Sequence, residues 1–129
     1  MKLRVSLEHL DNLDHVNNVV YVSWIQNVAD AHWKAAAPEE LRSHCRWVVM
    51  RHQVDYFVPA VEGDELELLT WIDPANGARS VRHVTIERIA DRKVLAYAET
   101  TWCLLDPKSG KPKRVSPEID SVLRLAIRK

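Results

Sequence analysis

The chain has 129 residues, with 18 lysines and arginines set against 18 aspartates and glutamates, and 47% of it is hydrophobic. That length suits a single domain, residues 1–129, with a core of its own, and the charge balance excludes the basic excess typical of nucleic-acid binders. No apolar run approaches the roughly 18 residues of a membrane span, and the start, MKLRVSLEHLD, lacks the apolar stretch of a signal peptide, so a cytoplasmic protein is the expectation.

Lys2 to His9 alternates apolar Leu3, Val5 and Leu7 with polar Arg4, Ser6 and Glu8, which predicts a first strand. The run LDNLDHVNNVVY (10–21) then gathers two aspartates, a histidine and three asparagines. From about Val19 to Ala37 there is neither Gly nor Pro, and Ser23, Gln26, Asn27, Asp30 and Lys34 mark one narrow polar face. The remainder, including Val20, Tyr21, Trp24, Ile25, Val28 and Ala31, predicts a long and mostly buried helix. Pro38 opens a connecting segment, PEELRSHC.

Four strands are expected next, over 46–57, 64–72, 78–89 and 93–106, separated by Gly63-Asp64, by DPANG and by the short Ala90-Asp91-Arg92 turn. PKSGKPKRV is a loop, and SPEIDSVLRLAIRK opens a final helix with Ser116 as N-cap and Pro117 at its first position. An antiparallel sheet curling around one apolar helix buries both, which makes the fold class α+β. An exposed edge or face of that sheet favours self-association, and the five tryptophans suit interfaces as well as cores. Cys45 and Cys103 have no metal-ligand spacing and read as reduced, buried thiols; His32, His44, His52 and His83 lack metal spacing as well.

The polar run falls where a helix begins, and the first backbone N–H groups of a helix have no intrahelical partner. On the residues alone two readings stand. Asn17 or Asn18 caps the helix while Asp11 closes a turn; or the helix N-terminus polarises a carbonyl beside Asp11, which activates water or attacks directly. Arg79, Arg82, Arg88 and Arg114, with Lys111 and Lys113, are candidates to meet phosphates, although each singly is an ordinary solvated charge. Asp30, on the polar face, is a weaker site candidate.

LDNLDHVNNVVYVSW (10–24) resembles the signature of hotdog-fold acyl thioesterases of the 4-hydroxybenzoyl-CoA thioesterase type, roughly D-x-D-x-x-G-H-V-N-N-x-x-Y ahead of a central helix. Asp11 falls on the second aspartate, His15 on the histidine, Asn17 and Asn18 on the paired asparagines and Tyr21 on the tyrosine. VVMRHQVDYFVPAVEGDELEL (48–68) and TTWCLLDPKSGKPKRV (100–115) are similar to the family's Tyr-x-x-Pro bend, its Gly-Asp turn and its last strand and loop. The resemblance implies a hotdog fold, a curled antiparallel sheet wrapped around one long central helix. It also implies hydrolysis of an acyl-CoA to free acid and CoA, with no metal and no cofactor beyond the CoA of the substrate. Asp11 would be the general base or nucleophile, and the Asn18 backbone N–H would face the thioester oxygen. His15, Asn17 and Tyr21 would order the loop or line the pocket; Arg79, Arg82, Arg88 and Arg114 could contact CoA phosphates. Two subunits of a dimer or tetramer would share each acyl channel.

The chain departs from the signature at His9, in place of the first aspartate, and at Asp14, in place of the glycine. Gln26, Asn27, Val28 and Ala29 replace the family's mid-helix acidic and arginine segment. The stretch is also similar to plant-type acyl-carrier-protein thioesterases, D-x-N-x-H-V-N-N-V-x-Y-I-x-W, to which Trp24 conforms and Leu13 does not. An acyl-carrier-protein thioesterase is therefore one alternative, and a non-catalytic acyl-thioester-binding hotdog protein is another. No His-Phe-Pro segment of a hotdog dehydratase is present.

Overall fold

The computed structural model describes residues 1–125. In chain order the elements are β1 (Lys2–Arg4), a 3-10 turn (Leu7–His9), α1 (Asn18–Ala36), α2 (Glu39–Arg42), β2 (Arg46–Tyr56), β3 (Glu65–Ile72), β4 (Arg79–Arg88), β5 (Lys93–Leu105) and α3 (Pro117–Leu123). The strands form one sheet in the order β1-β3-β4-β5-β2, antiparallel at every pairing. The four long strands lie within one residue of the boundaries their alternation predicts.

Period-two alternation explains what the sheet turns towards α1. Leu66 and Leu68 of β3, Val84 and Ile86 of β4, and Ala96 and Ala98 of β5 are all buried. Against them α1 lays Tyr21, Trp24, Ile25, Val28 and Ala29. Burying each large side chain contributes about 1.5–3 kcal/mol, so this stripe is the main attachment of the helix. A second apolar cluster, built on Leu104, Val115, Ile119 and Leu123, packs with Trp33 and Trp47 near the other end of α1. Between the two clusters a polar belt crosses the sheet. Arg82 sits opposite Thr100 and Thr100 opposite His52, and Arg82 and Thr100 are buried.

Three features differ from the sequence expectation. The first strand stops at Arg4, because Ser6 and His9 form a local pair in which the Ser6 N–H donates to His9 Nδ1 at 3.0 Å. That closes a 3-10 turn and leaves Leu7 71% exposed rather than inward. The sheet covers one side of α1, so Val19 (74% exposed) and Ala31 face outward with the polar stripe, and the helix is half-buried. The segment after Pro38 contains the single-turn α2, with Glu39 and Glu40 in its first turn. Both cysteines are free thiols, but only Cys103 is fully buried. The end of the final helix, beyond residue 125, lies outside the described residues. Among the described residues no helix is long and apolar enough to cross a membrane.

Candidate active site

Leu10 to Val16 fold into a small hairpin. Leu10 bridges Val16, the Asp11 N–H donates to the His15 carbonyl at 2.8 Å, and the Asp14 N–H donates to the Asp11 carbonyl at 3.1 Å. Such a three-residue loop needs a residue at positive φ, and Asp14 supplies it at φ 60°. Aspartate is among the few non-glycine residues that tolerate this region, which explains how the chain departs from glycine there and keeps the turn.

The turn fixes the Asp11 carboxylate. Oδ1 accepts from the Leu13 N–H at 2.8 Å and from the His15 N–H at 3.3 Å, while Oδ2 has no hydrogen-bond partner among the described residues. One oxygen is therefore spent on orientation and the other is available. The side chain is exposed, as is neighbouring Leu13 at 73%.

The start of α1 follows at once. Asn17 is the N-cap, its side chain accepting from the Val19 N–H at 3.0 Å. Of the two asparagines that could cap, Asn17 takes that role. The Asn18 N–H, first in the helix, has no acceptor among the described residues.

A clasp holds this end of α1 against the sheet. The Val16 N–H donates to the Ala60 carbonyl at 3.0 Å, and the Ala60 N–H donates to the Tyr21 hydroxyl at 3.0 Å. Burial is the leading reason that the Tyr21 hydroxyl is held above its usual pKa, so it stays neutral. Tyr21 also meets Trp24 and Tyr56 edge-on, and His9 meets Trp24 edge-on with ring centres 5.1 Å apart. Tyr21 thus ties α1 to the Ala60 segment, and His9 packs against Trp24. Neither the Ala60 clasp nor the His9–Trp24 contact was legible in the polar run, because each depends on a partner brought in by the fold.

The four candidate arginines do not form one patch. Arg79 and Arg88 lie at opposite ends of β4, about 30 Å apart at the rise of a strand. Arg114 is near the Arg79 end, since the next residue, Val115, donates to the Gly77 carbonyl. Arg88 shares its end of the sheet with the Asp11 loop, approaching Asp64 at 3.9 Å. Its guanidinium is held by Asp91 through bonds of 3.1 and 2.8 Å, which lower the Asp91 pKa to about 2. Arg82 is in the buried belt, and its parity with Val84 and Ile86 was the signal for that. Asp30 pairs with Lys34 at 2.9 Å on the exposed face of α1. Among the described residues no three His, Cys, Asp or Glu side chains are grouped as metal ligands.

The whole of this architecture has known counterparts. The model of the thioesterase-like superfamily matches residues 5–123. The long-chain acyl-CoA thioesterase FadM of Escherichia coli K12 is 24% identical over 132 residues, covering 98% of both chains. The YbaW probable thioesterase of Escherichia coli superposes with a TM-score of 0.83 at 25% identity, covering 95% of this chain and 94% of its own. A thioesterase from Thermus thermophilus, solved with coenzyme A and zinc, superposes with a TM-score of 0.83 at 22% identity, covering 95% and 89%.

Proposed function

The chain belongs to the thioesterase-like superfamily and has its hotdog fold, and from that premise we propose that it hydrolyses an acyl-CoA to the free acid and CoA at the Asp11 loop. The observation that carries this reading is the Asp11 carboxylate, anchored through Oδ1 and with Oδ2 unengaged among the described residues, a few residues ahead of a helix whose first N–H has no acceptor among them. The thioester oxygen would sit at the Asn18 N–H, where the helix terminus stabilises negative charge as the carbonyl becomes tetrahedral. Asp11 Oδ2 would take a proton from water as the water oxygen attacks, and the departing CoA thiolate recovers that proton. On the alternative route Oδ2 attacks the carbonyl and expels CoA thiolate. Water then cleaves the resulting acyl-Asp11 anhydride to the free acid and the Asp11 carboxylate, its released proton passing to the thiolate. The step requires no metal, because a thiolate is a good leaving group.

CoA is preferred over an acyl carrier protein because FadM is named for acyl-CoA. Arg88, at the loop's end of the sheet, is the candidate for a CoA phosphate that this geometry favours. The Asp11 side chain is exposed in a single chain, and β2 is an edge strand of 11 residues whose outer side has no strand partner among the described residues. A second copy would complete the wall opposite Asp11, giving a dimer or a pair of dimers.

Asp11→Asn tests the assignment, since the amide oxygen can still accept the Leu13 and His15 N–H groups. Thiol release from acyl-CoA should fall by about 10²-fold or more, with melting temperature unchanged, and the wild-type activity should elute from a sizing column with a dimer or tetramer. Hydrolysis by the variant at the wild-type rate would overturn the role of Asp11. Turnover of the same acyl group only on the carrier protein would replace CoA as the substrate.

A further inference from the structure

A cavity of about 330 Å³ lies between the C-terminal half of α1 and the inner sheet face, far from Asp11. Asp30, which lines it, is about 18 Å along the helix from Asn18. Trp33, Trp47 and Trp102 give it aromatic walls, with Ser80 and Arg82 among them.

Arg82 is only 4% exposed, and no carboxylate among the described residues pairs with it. Its guanidinium donates to Thr70 Oγ1 at 2.9 Å and to His32 Nδ1 at 3.2 Å. His32 Nε2 in turn meets the Leu125 carbonyl at 2.8 Å, so Nε2 carries the proton and Nδ1 is the acceptor. Both partners of Arg82 are therefore neutral. Burial lowers its pKa to about 10, which still leaves it charged near neutral pH. A guanidinium carries five N–H donors, and two of these have partners among the described residues.

Two further donors in the same lining are unsatisfied. Trp47 Nε1 and Trp102 Nε1 are buried with no acceptor among the described residues, each nitrogen closed off from the cavity space. Buried donors without acceptors are rare in folded proteins and call for a specific explanation. The one carboxylate in the lining, Asp30, is exposed and already paired with Lys34. The cavity thus offers an uncompensated positive charge inside aromatic and aliphatic walls, at a volume near the lower end for small-molecule sites.

We propose that this cavity binds a compact organic carboxylate, its carboxylate received by Arg82 and its apolar body packed on the tryptophan rings. Such a group arrives either as a free acid or as the far end of an acyl chain that carries a second carboxylate. An anion there supplies the countercharge that Arg82 lacks.

The test follows the five indole N–H signals of the ¹⁵N-labelled full chain during titration with benzoate and, separately, with benzamide, its uncharged counterpart. Trp47→Phe and Trp102→Phe assign the two signals of interest. Benzoate should shift both and benzamide neither, and Arg82→Gln should weaken benzoate binding by roughly tenfold or more, the worth of a charge-assisted bond. Equal response to benzamide, no response to benzoate, or tighter binding of inorganic phosphate than of benzoate would each overturn the proposal. The benzoate–benzamide contrast is read on the wild-type chain, so it decides even where Arg82→Gln does not fold. To separate the sources, CoA thioesters of a dicarboxylic and a monocarboxylic acid of equal length are compared. A preference for the first that Arg82→Gln removes assigns the carboxylate to the acyl chain; equal turnover assigns it to a free acid. The titration needs no turnover, so it stands apart from the fate of the Asp11 assignment.

Discussion

Asp14 carries more of the site than its exposed position suggests. Its φ of 60° lets the chain reverse so that the Leu13 and His15 N–H groups both reach Asp11 Oδ1. Aspartate bears this conformation at modest cost, glycine at less, and a β-branched residue at far more. Asp14→Val should therefore lose about 1–2 kcal/mol of stability in urea unfolding, and its thioester turnover should fall as the carboxylate loses its anchors. Asp14→Gly should keep turnover and lie within about 1 kcal/mol of wild type. A valine variant as stable and active as wild type would mean that the turn has no part in positioning Asp11.

The N-terminal end of α1 is fixed by two devices of different strength. Asn17 caps one exposed N–H, whereas the Tyr21 hydroxyl accepts the buried Ala60 N–H from 39 residues away. Removing a buried acceptor strands its donor, so Tyr21→Phe should cost about 1–3 kcal/mol by chemical denaturation. Asn17→Ala should cost about 1 kcal/mol. A Tyr21→Phe variant of wild-type stability would show that water satisfies Ala60 just as well. The same contrast explains what could be read from the chain. Caps, turns and alternation are local, so α1, the four long strands and the Ser116 cap with its following Pro117 were legible, as was the polar run as the turn and cap that begin α1. Leu3, Val5 and Leu7 also alternate, but the Ser6–His9 pair competes for the backbone, and only the first three-residue strand survives. The Ala60 clasp and the neutral partners of Arg82 join positions far apart in sequence, and no local pattern announces them.

The polar belt ties α1 to the sheet in a manner that depends on proton uptake. Burial is the leading cause of lowered pKa at both His32 and His52, and Arg82 adds repulsion at His32. A proton on His32 Nδ1 would point at the guanidinium that now donates to it. His52 Nδ1 sits 2.8 Å from the buried Thr100 hydroxyl, in the next strand of the belt. Both histidines hold fewer protons in the folded state than in the unfolded one, where the pKa is about 6.5. Their stabilisation is full above about pH 6.5 and is lost as the pH falls through the lower folded values. Glu67, Asp91 and Asp106 also have lowered pKa values, but unfolded carboxylates titrate near or below about pH 4.5, outside this window. The melting temperature should therefore decline between about pH 6.5 and pH 5, before acid unfolding by the carboxylates begins. His32→Gln sharpens the test, because its amide oxygen can accept from Arg82 and its nitrogen can donate to the Leu125 carbonyl with no proton to gain. That variant should show a shallower decline over the same range, measured by calorimetry in matched buffers. A wild-type melting temperature that is flat or rises as the pH falls would show that the belt tolerates charged histidines. Two neutral histidines around a buried arginine would then be the wrong description of the core.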